Sequence, residues 1–383
     1  MRKLYFISQY FDIESDKHFG GVLIRKKQIE LFSKNYEVHV VMPNKRGKEI
    51  SVKNNVTYIP YFYQKQICDV LERFNLIADK DYFFAKNTIK YLSKIVTQQD
   101  IVFCTTGGSL ETLAIGHYLK QKLNCKYVIN FQDPINHASV NGLYVSNELR
   151  FKRNSFEKKY LSNIDLIITS SDFFKISLIK KYSFLNESNM MNNYYGYFYD
   201  YPLSENFNSN PLSLMYAGLF GKHQSVEVIA KILANSEKNL KVFFIGNYQN
   251  YKPILPFLNQ FNFRALMPHN EFLNFVSENI NIGIVSLTNP YLEACVPSKI
   301  FEYFNLGLPI IGILPDGDAK ELVNKNNFGK IFGIDELQKF DYFVQNELTS
   351  KWLQECRINV IKNKHQWHMD TLFQDVMKAL NTL

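Results

Sequence analysis

No stretch of this sequence approaches the ~20 consecutive apolar residues that a membrane-spanning helix needs. Cysteine is sparse. The five, Cys68, Cys104, Cys125, Cys295 and Cys356, are odd in number and show neither a Cys-x-x-Cys pair nor a Cys/His metal spacing. That excludes a disulfide scaffold and a zinc module, and it fits a reducing compartment. There is no dense Lys/Arg block of the kind nucleic-acid-binding arms carry, so no nucleic-acid partner is expected. A GxGxxG dinucleotide fingerprint and a Walker loop are both missing. No fixed-period repeat or low-complexity tract occurs. The opening residues, MRKLYFISQYF, are basic and then apolar, but the apolar run is short and lacks a small-residue cleavage site. They read as a first strand and not as a secretion signal, so a cytoplasmic protein is expected.

What remains is an ordinary globular composition in 383 residues, 46% hydrophobic and 21% charged. That length suggests two domains, each able to bury a core. The net charge is +8, a modest excess. It suits a protein that meets phosphates or an anionic membrane surface, and equally a solvated surface slightly richer in Lys than Glu.

The pattern along the chain alternates strands with helices. Apolar runs at Lys3–Ser8, Tyr36–Met42, Val56–Ile59, Ile101–Cys104, Lys126–Phe131 and Asp165–Thr169 read as strands, with Pro43 and Pro60 as stops. Helical spacing marks residues 22–34 and about 80–97. The polar stretch DYPLSENFNSNP, residues 200–211, reads as a linker. Alternation then restarts, with strands at Leu212–Ala217, Lys241–Ile245, Asn281–Val285 and Pro309–Leu314, and a helix at Ser298–Asn305 ended by Gly307. Residues 347–383 read as two helices. Continuous β-branched runs separated by helices predict parallel sheets buried on both faces, an α/β doubly wound architecture. Ligands then bind beyond the carboxyl ends of the strands.

Five segments follow strand ends. His18-Phe19-Gly20-Gly21 opens a helix, where backbone N–H groups suit an anion. Thr105–Ser109, TTGGS, suits an acceptor or a phosphate, or is a tight turn with a Ser cap. Gln132–His137 places Asp133 and His137 beyond a buried strand; an Asp-Pro turn is the plainer reading. YAGLFGKHQ, residues 216–224, sets Gly218, Gly221 and Lys222 between a strand and a helix, an arrangement that suits a diphosphate. In PSKIFEYFNLGLPII, residues 297–311, Glu302 sits on a short helix, as do carboxylates that accept from both ribose hydroxyls; a surface Glu on an amphipathic helix fits as well.

Together and in this order, the segments resemble the GT-B glycosyltransferases of the retaining class usually grouped as family 4. The likeness covers most of the chain. Its most specific part is residues 297–311, which follow the P-x-K-x-x-E-Y-x-x-x-G-x-P-I pattern. The resemblance implies two Rossmann-like doubly wound domains facing across a cleft. Residues 1–200 would form an acceptor domain and 201–365 a nucleotide-sugar donor domain, with 366–383 a helix crossing back to the first. It implies donor binding by Gly20, Gly21, Gly218, Gly221, Lys222, Ser298, Lys299 and Glu302. Glu302 would hold the ribose and Lys222 the diphosphate, with Asp133 and His137 near the reacting sugar. No metal or other cofactor is expected, because protein cations replace Mg²⁺; Asp316-Gly317-Asp318 follows a late strand and reads as a turn. One departure stands out. Many relatives carry a second Glu eight positions before the ribose-binding one; here that position is Ala294, with Glu293 beside it.

The expectation is therefore a transferase that moves a sugar from a nucleotide-diphosphate sugar to a glycan or lipid-linked acceptor, in bacterial surface polysaccharide synthesis, with retention of configuration. A nucleotide-sugar 2-epimerase-like isomerase and a degenerate, non-catalytic GT-B subunit are the alternatives. A cluster in one first-domain stretch, Arg150, Lys152, Arg153, Lys158 and Lys159 with Phe151 and Phe156 between them, adds an expected peripheral contact with an anionic inner membrane face.

Overall fold

In the computed structural model of this chain, the described residues are 1–9, 11, 20–44, 49–60, 70–71, 74, 76–77, 82–135, 147–201, 203, 211–289 and 292–383. They divide into two compact units, Met1–Tyr194 with Phe373–Leu383, and Tyr195–Leu372. The second unit thus begins ahead of the polar 200–211 stretch. Among the described residues no helix is long and apolar enough to cross a membrane.

The first unit contains β1 (Lys3–Ser8), α1 (Gly20–Ser33), β2 (Glu37–Asn44), β3 (Ser51–Lys53), β4 (Val56–Pro60), α2 (Tyr82–Leu92), β5 (Ile101–Gly107), α3 (Glu111–Leu123), β6 (Lys126–Asp133), α4 (Asn147–Leu161), β7 (Leu166–Thr169), α5 (Asp172–Lys181) and β8 (Met190–Asn192). Its eight-stranded sheet runs β3-β4-β2-β1-β5-β6-β7-β8. All pairs are parallel except the β3–β4 hairpin, whose turn residues Asn54 and Asn55 take left-handed φ of 49° and 62°. The central strands are apolar on both faces because helices cover both. Phe6 stacks on Phe103 at 5.6 Å, Phe32 of α1 meets Phe103 edge-on at 4.8 Å, and Phe373 closes on Phe32 at 5.0 Å.

Several strands outrun their expected ends: β4 takes in Pro60, expected as its stop, the later strand Ile282–Ser286 gains Ser286, and three others run on by two or three residues. β2 continues through Pro43, which pairs with Ile59 beyond Val41, the last β2 residue that β1 reaches. A missing N–H is tolerated there because no β1 partner requires it. β5 runs on through Thr105-Thr106-Gly107, and β6 through Gln132-Asp133. The two stay paired by a register shift that sets Gly107 against Asp133.

The second unit contains β9 (Leu212–Ala217), α6 (Val226–Ala234), β10 (Leu240–Ile245), β11 (Asn262–Arg264), α7 (His269–Asn279), β12 (Ile282–Ser286), α8 (Ser298–Asn305), β13 (Ile310–Ile313), α9 (Asp318–Lys325), β14 (Gly329–Phe332), α10 (Leu337–Tyr342), α11 (Ser350–Asn363) and the start of α12 (Met369–Asn381). The six-stranded sheet is parallel, in the order β11-β10-β9-β12-β13-β14. Leu214, Ile229, Phe244, Ile284 and Ile311 lie in its core at 0% exposure. The edge strands β11 and β14 carry no sequence signal of their own. They are three and four residues long, and half or more of each is polar or glycine. Asp316-Gly317-Asp318 bends straight into α9.

In both sheets the chain starts in the middle, winds outward, then reverses. The reversals fall between β1 and β5 and between β9 and β12. Successive connections leave on opposite faces at these points, which opens a crevice at the strands' carboxyl ends.

Candidate active site

The β9–β12 switch point gathers the second unit's chemistry. The loop after β9 begins at Gly218, whose φ of +145° disfavours any side chain; a Cβ there would also meet the Lys299 Nζ at 2.8 Å. The Gly221 carbonyl accepts from the N–H groups of Gln224 and Ser225 at 3.1 and 3.0 Å, a tight turn that leaves the Lys222 side chain exposed. The loop is sewn to the one after β12. The Thr288 N–H donates to the His223 carbonyl at 2.8 Å, the Asn289 amide meets His223 Nδ1 at 3.0 Å, and the Ser286 hydroxyl donates to the Gln224 carbonyl.

Helix α8 supplies the other side. Ile300, Phe301 and Phe304 fix its buried face. The Tyr303 ring lies against β12, where a Cβ on Gly283 would come within 2.4 Å of it, so that position accepts only glycine. Asn305, 1% exposed, donates to the Tyr199 carbonyl and accepts from the Tyr201 N–H at 3.3 Å. That anchors the helix to the start of the unit. Ser298 begins the helix, exposed, one residue after the Pro297 cap.

Lys299 and Glu302, one turn apart, are both partly buried. Lys299 Nζ lies over the Tyr216 ring, 4.1 Å from its centroid. Burial lowers its pKa to about 8. Burial likewise holds the Glu302 carboxyl above the ordinary carboxylate range. Neither side chain, nor that of Lys222, has a hydrogen-bond or ion-pair partner among the described residues. Two like-placed groups of opposite charge, raised and lowered by the same desolvation, mark a functional site more often than a scaffold. Ala294, buried at 8% exposure, brings no carboxylate to the site. Glu293 beside it is exposed, its carboxyl raised by partial desolvation and then by Asp316.

The carboxyl end of the first unit's sheet is arranged differently. Gly20 and Gly21 open α1. The Gly21 carbonyl accepts from Arg25 Nη1 at 3.0 Å, and Arg25 Nη2 donates to Gln132 Oε1 at 2.7 Å. The glycine turn and the end of β6 are thereby one hydrogen-bonded piece. Asp133 closes β6, partly exposed. Arg153 of α4 reaches in to donate to the carbonyls of Gly108 and Ile135 at 2.6 and 2.8 Å. The TTGGS segment is not a Ser-capped turn. The cap position is Leu110, without a side-chain bond, and the Ser109 hydroxyl donates to Glu111 at 2.7 Å while accepting from Gln9. His18, Asn136 and His137 lie outside the described residues.

The structure thus brings Gly218 and Lys299 together, with Gly221 and Lys222 in the same loop and Glu302 one turn from Lys299. Sequence reasoning gave no role to Tyr216 and His223, although both lie in the YAGLFGKHQ segment it singled out, and it missed Asn289 and Arg25. Tyr216 had a signal in the YAG triplet that ends β9. Arg25 had only its i,i+4 spacing from Gly21, which any helix supplies.

Compared by sequence, the chain matches no family model and no curated protein. Compared by structure, it matches many solved chains, several of them over 99–100% of its length. Sucrose-phosphate synthase from Thermosynechococcus elongatus superposes with a TM-score of 0.72 at 14% identity, covering 100% of this chain and 99% of that one. HepE of Anabaena, solved with UDP and glucose, gives 0.68 at 13%, covering 100% of both. The lipopolysaccharide outer core galactosyltransferase WaaB gives 0.68 at 13%, covering 99% of both. At such identities the likeness establishes the fold, and the fold is GT-B.

Proposed function

We propose that this chain is a glycosyltransferase of the hexosyltransferase type, taking a sugar from a nucleotide-diphosphate sugar and passing it, with retention, to a glycan or lipid-linked acceptor. The observation that carries the reading is the pair Lys299 and Glu302: a cation and a carboxylate one turn apart, partly buried and without protein partners among the described residues, at the switch point of a doubly wound sheet. A nucleotide diphosphate offers the matching complement, a ribose diol for the carboxylate and an anion for the cation. The fold neighbours support it. HepE is solved with UDP, with UDP-glucose and with UDP plus glucose, and WaaB, whose name assigns it to a lipopolysaccharide core, supports a surface-glycan acceptor.

In this reading Glu302 accepts from the ribose hydroxyls. Gly221 and Ser298 bring backbone N–H groups to the phosphates, and Gly20 and Gly21 do the same from the start of α1; Gly218, whose N–H donates to the Ile245 carbonyl, serves by lacking a side chain beside them. The acceptor hydroxyl oxygen bonds to the anomeric carbon as that carbon's bond to the β-phosphate oxygen breaks. The departing phosphate takes the hydroxyl proton on the same face, so no separate base is needed. Lys222, exposed at the apex of its turn, stabilises the negative charge that grows on the leaving group. Asp133 and His137 serve the reacting sugar, and Glu293 takes part of the role that Ala294 cannot. With these cations supplied by the protein, the reaction proceeds without a metal, and full activity in a chelator tests that point.

The deciding experiment offers nucleotide sugars with a panel of glycan and lipid-linked acceptors and follows release of free nucleoside diphosphate. Acceptor-dependent release with a product that keeps the donor's anomeric configuration, read by anomeric proton resonance, is the expected result. Interconversion of donors without release would favour the epimerase-like alternative, and an inverted product would remove the retaining mechanism.

A further inference from the structure

We propose that the second unit holds a carbohydrate-binding site apart from the β9–β12 crevice, in a cavity of about 970 Å³ beside the edge strand β14. Residues of α9, β14, α10 and α11 line it. None of them belongs to the segments assigned to the donor. Small-molecule sites span roughly 300–1,000 Å³, so this one has room for more than one sugar ring. It stands whether or not the crevice takes a nucleotide sugar, and no step of the transfer uses it.

The walls decide which class of ligand enters. A peptide strand cannot add to β14. The outward N–H and carbonyl of Ile331 are both taken by the Asn324 side chain, at 2.8 and 3.0 Å, and the Gly333 N–H donates to Glu336 at 2.8 Å. With the edge closed in this way, an extended chain has no ladder to join. An anion finds no free cation. Lys320 and Lys339 both donate to Glu336, at 2.9 and 2.8 Å, and Lys330 donates to Glu347 at 2.9 Å. Lys339 first, then the Gly333 N–H and Lys320, hold the Glu336 carboxyl down to about 2, so it stays ionised and keeps both lysines occupied.

What stays open is a set of hydrogen-bonding groups beside aromatic rings. Gln338, Tyr342 and Trp352 line the cavity, and their amide, hydroxyl and indole N–H have no hydrogen-bond partner among the described residues. Glu355 adds a carboxylate with no cation partner among them. Tyr342 is 60% exposed, so its ring is open to a ligand. The Trp352 ring stands edge-on to Phe343 at 5.1 Å. Phe343 begins a widened π-turn, Phe343–Glu347, closed by the Leu348 N–H donating to the Phe343 carbonyl at 2.9 Å. Such turns concentrate at functional sites. A sugar ring offers the complement to this surface. Its slightly positive C–H face packs on the negative face of an aromatic ring, and its hydroxyls both donate and accept at the rim.

The test is saturation-transfer nuclear magnetic resonance on the full chain with maltotriose, cellotriose, mannotriose and chitotriose, and with glucose 6-phosphate as the anionic arm. The wild type is expected to bind at least one trisaccharide with a dissociation constant on the order of 1 mM. Tyr342→Ala should weaken that binding about 10-fold, and Gln338→Ala about threefold. Both side chains are exposed, so melting temperatures close to wild type certify the fold. Trp352→Ala removes a ring packed on Phe343 and risks unfolding, so Trp352→Phe stands in for it and should also weaken binding. Glu302→Ala should bind the trisaccharide as the wild type does, which separates this cavity from the crevice. No trisaccharide bound up to about 10 mM, binding undiminished in Tyr342→Ala, or glucose 6-phosphate bound in preference to every neutral sugar overturns the assignment. Each of these leaves the donor reading untouched.

Discussion

The carboxyl ends of the two sheets differ in how their polar groups are satisfied. In the first unit Arg25 bridges Gly21 to Gln132, Arg153 bridges Gly108 to Ile135, and Gln9, Ser109 and Glu111 form a chain, while the Ser8 and Thr105 hydroxyls and the Gln132 amide nitrogen are buried without a hydrogen-bond partner among the described residues. In the second the loops are tied through His223 and Ser286, while the charged groups Lys222, Lys299 and Glu302 are left without protein partners among the described residues. A buried polar group that is bonded to the protein stiffens the protein, and one left open is satisfied by a ligand. The charged groups therefore divide cleanly: those of the first sheet end brace it as a platform, with only neutral groups left open, and those of the second stay open as a receptor. The contrast predicts opposite responses to substitution.

The largest effect is expected at Lys222. If it meets charge that grows as the diphosphate leaves, Lys222→Ala should lower kcat by roughly 10²- to 10³-fold with a much smaller change in KM. Steady-state kinetics on donor and acceptor check this; a variant with normal kcat would show that the exposed cation is only solvated surface. Glu302→Ala comes next. Loss of hydrogen bonds to a charged acceptor costs about 1.5–3 kcal/mol of donor affinity. Because Glu302 is unpartnered among the described residues, the melting temperature should not fall. Unchanged affinity by calorimetry would dissolve the receptor side of the contrast.

The receptor was more legible in the sequence than the platform. Residues 297–311 announce themselves because a glycine, a proline-led strand and a carboxylate must follow one another in fixed order, and α8 falls on the expected residues, Ser298–Asn305. Strands β1 and β9 likewise match their apolar runs. The bracing by Arg25 and Arg153 is a long-range fact: Gln132 lies 107 residues from Arg25, and Arg153 lies 45 from Gly108. Nothing local marks such pairs. The strand ends failed for the same reason. Thr105, Thr106, Gln132 and Asp133 have turn-like side chains, but inter-strand pairing and the Thr106–Ser109 hydrogen bonds keep them in the sheet. Tertiary pairing overrides local preference there.

Stability should separate the two ends by sign. Arg25→Met removes the donor that Gly21 and Gln132 share and should destabilise by about 1–3 kcal/mol. Lys299→Met should do the reverse at pH 7. A base whose folded pKa is lowered, here to about 8 from 10.5, binds fewer protons folded than unfolded between those values. Wild-type stability therefore rises with pH across that window as this penalty is relieved, and the variant, lacking the penalty, gains on the order of 1–2 kcal/mol below it. Chemical denaturation of both proteins at pH 7 and pH 10 measures the difference. A gain that does not shrink with pH would mean that the Lys299 ammonium is not what the site destabilises.

The smallest effect concerns the outer face of the platform, where the structure divides a cluster that the sequence presents as one. Of the five cations of α4, Arg153 is 8% exposed and spent on two carbonyls, Lys152 is half-buried with an interaction of its own, and Lys159 donates to the Tyr118 hydroxyl at 3.0 Å. Phe156 stacks on Tyr160 at 5.6 Å and is not free to enter a lipid surface. What remains outward is Arg150, Lys158 and Phe151, the last 78% exposed. At about 1 kcal/mol per cation near an anionic surface, two such charges and one aromatic ring give at most weak attachment that salt removes. Co-sedimentation with phosphatidylglycerol vesicles should accordingly detect binding at low salt and lose it near physiological salt. Phe151→Ala and Arg150→Ala should each reduce it, while Phe156→Ala should act only through stability. Binding that survives high salt would require a contact other than α4. No binding at low salt would leave Arg150, Phe151 and Lys158 as ordinary solvated surface on a helix whose inward work is done by Arg153.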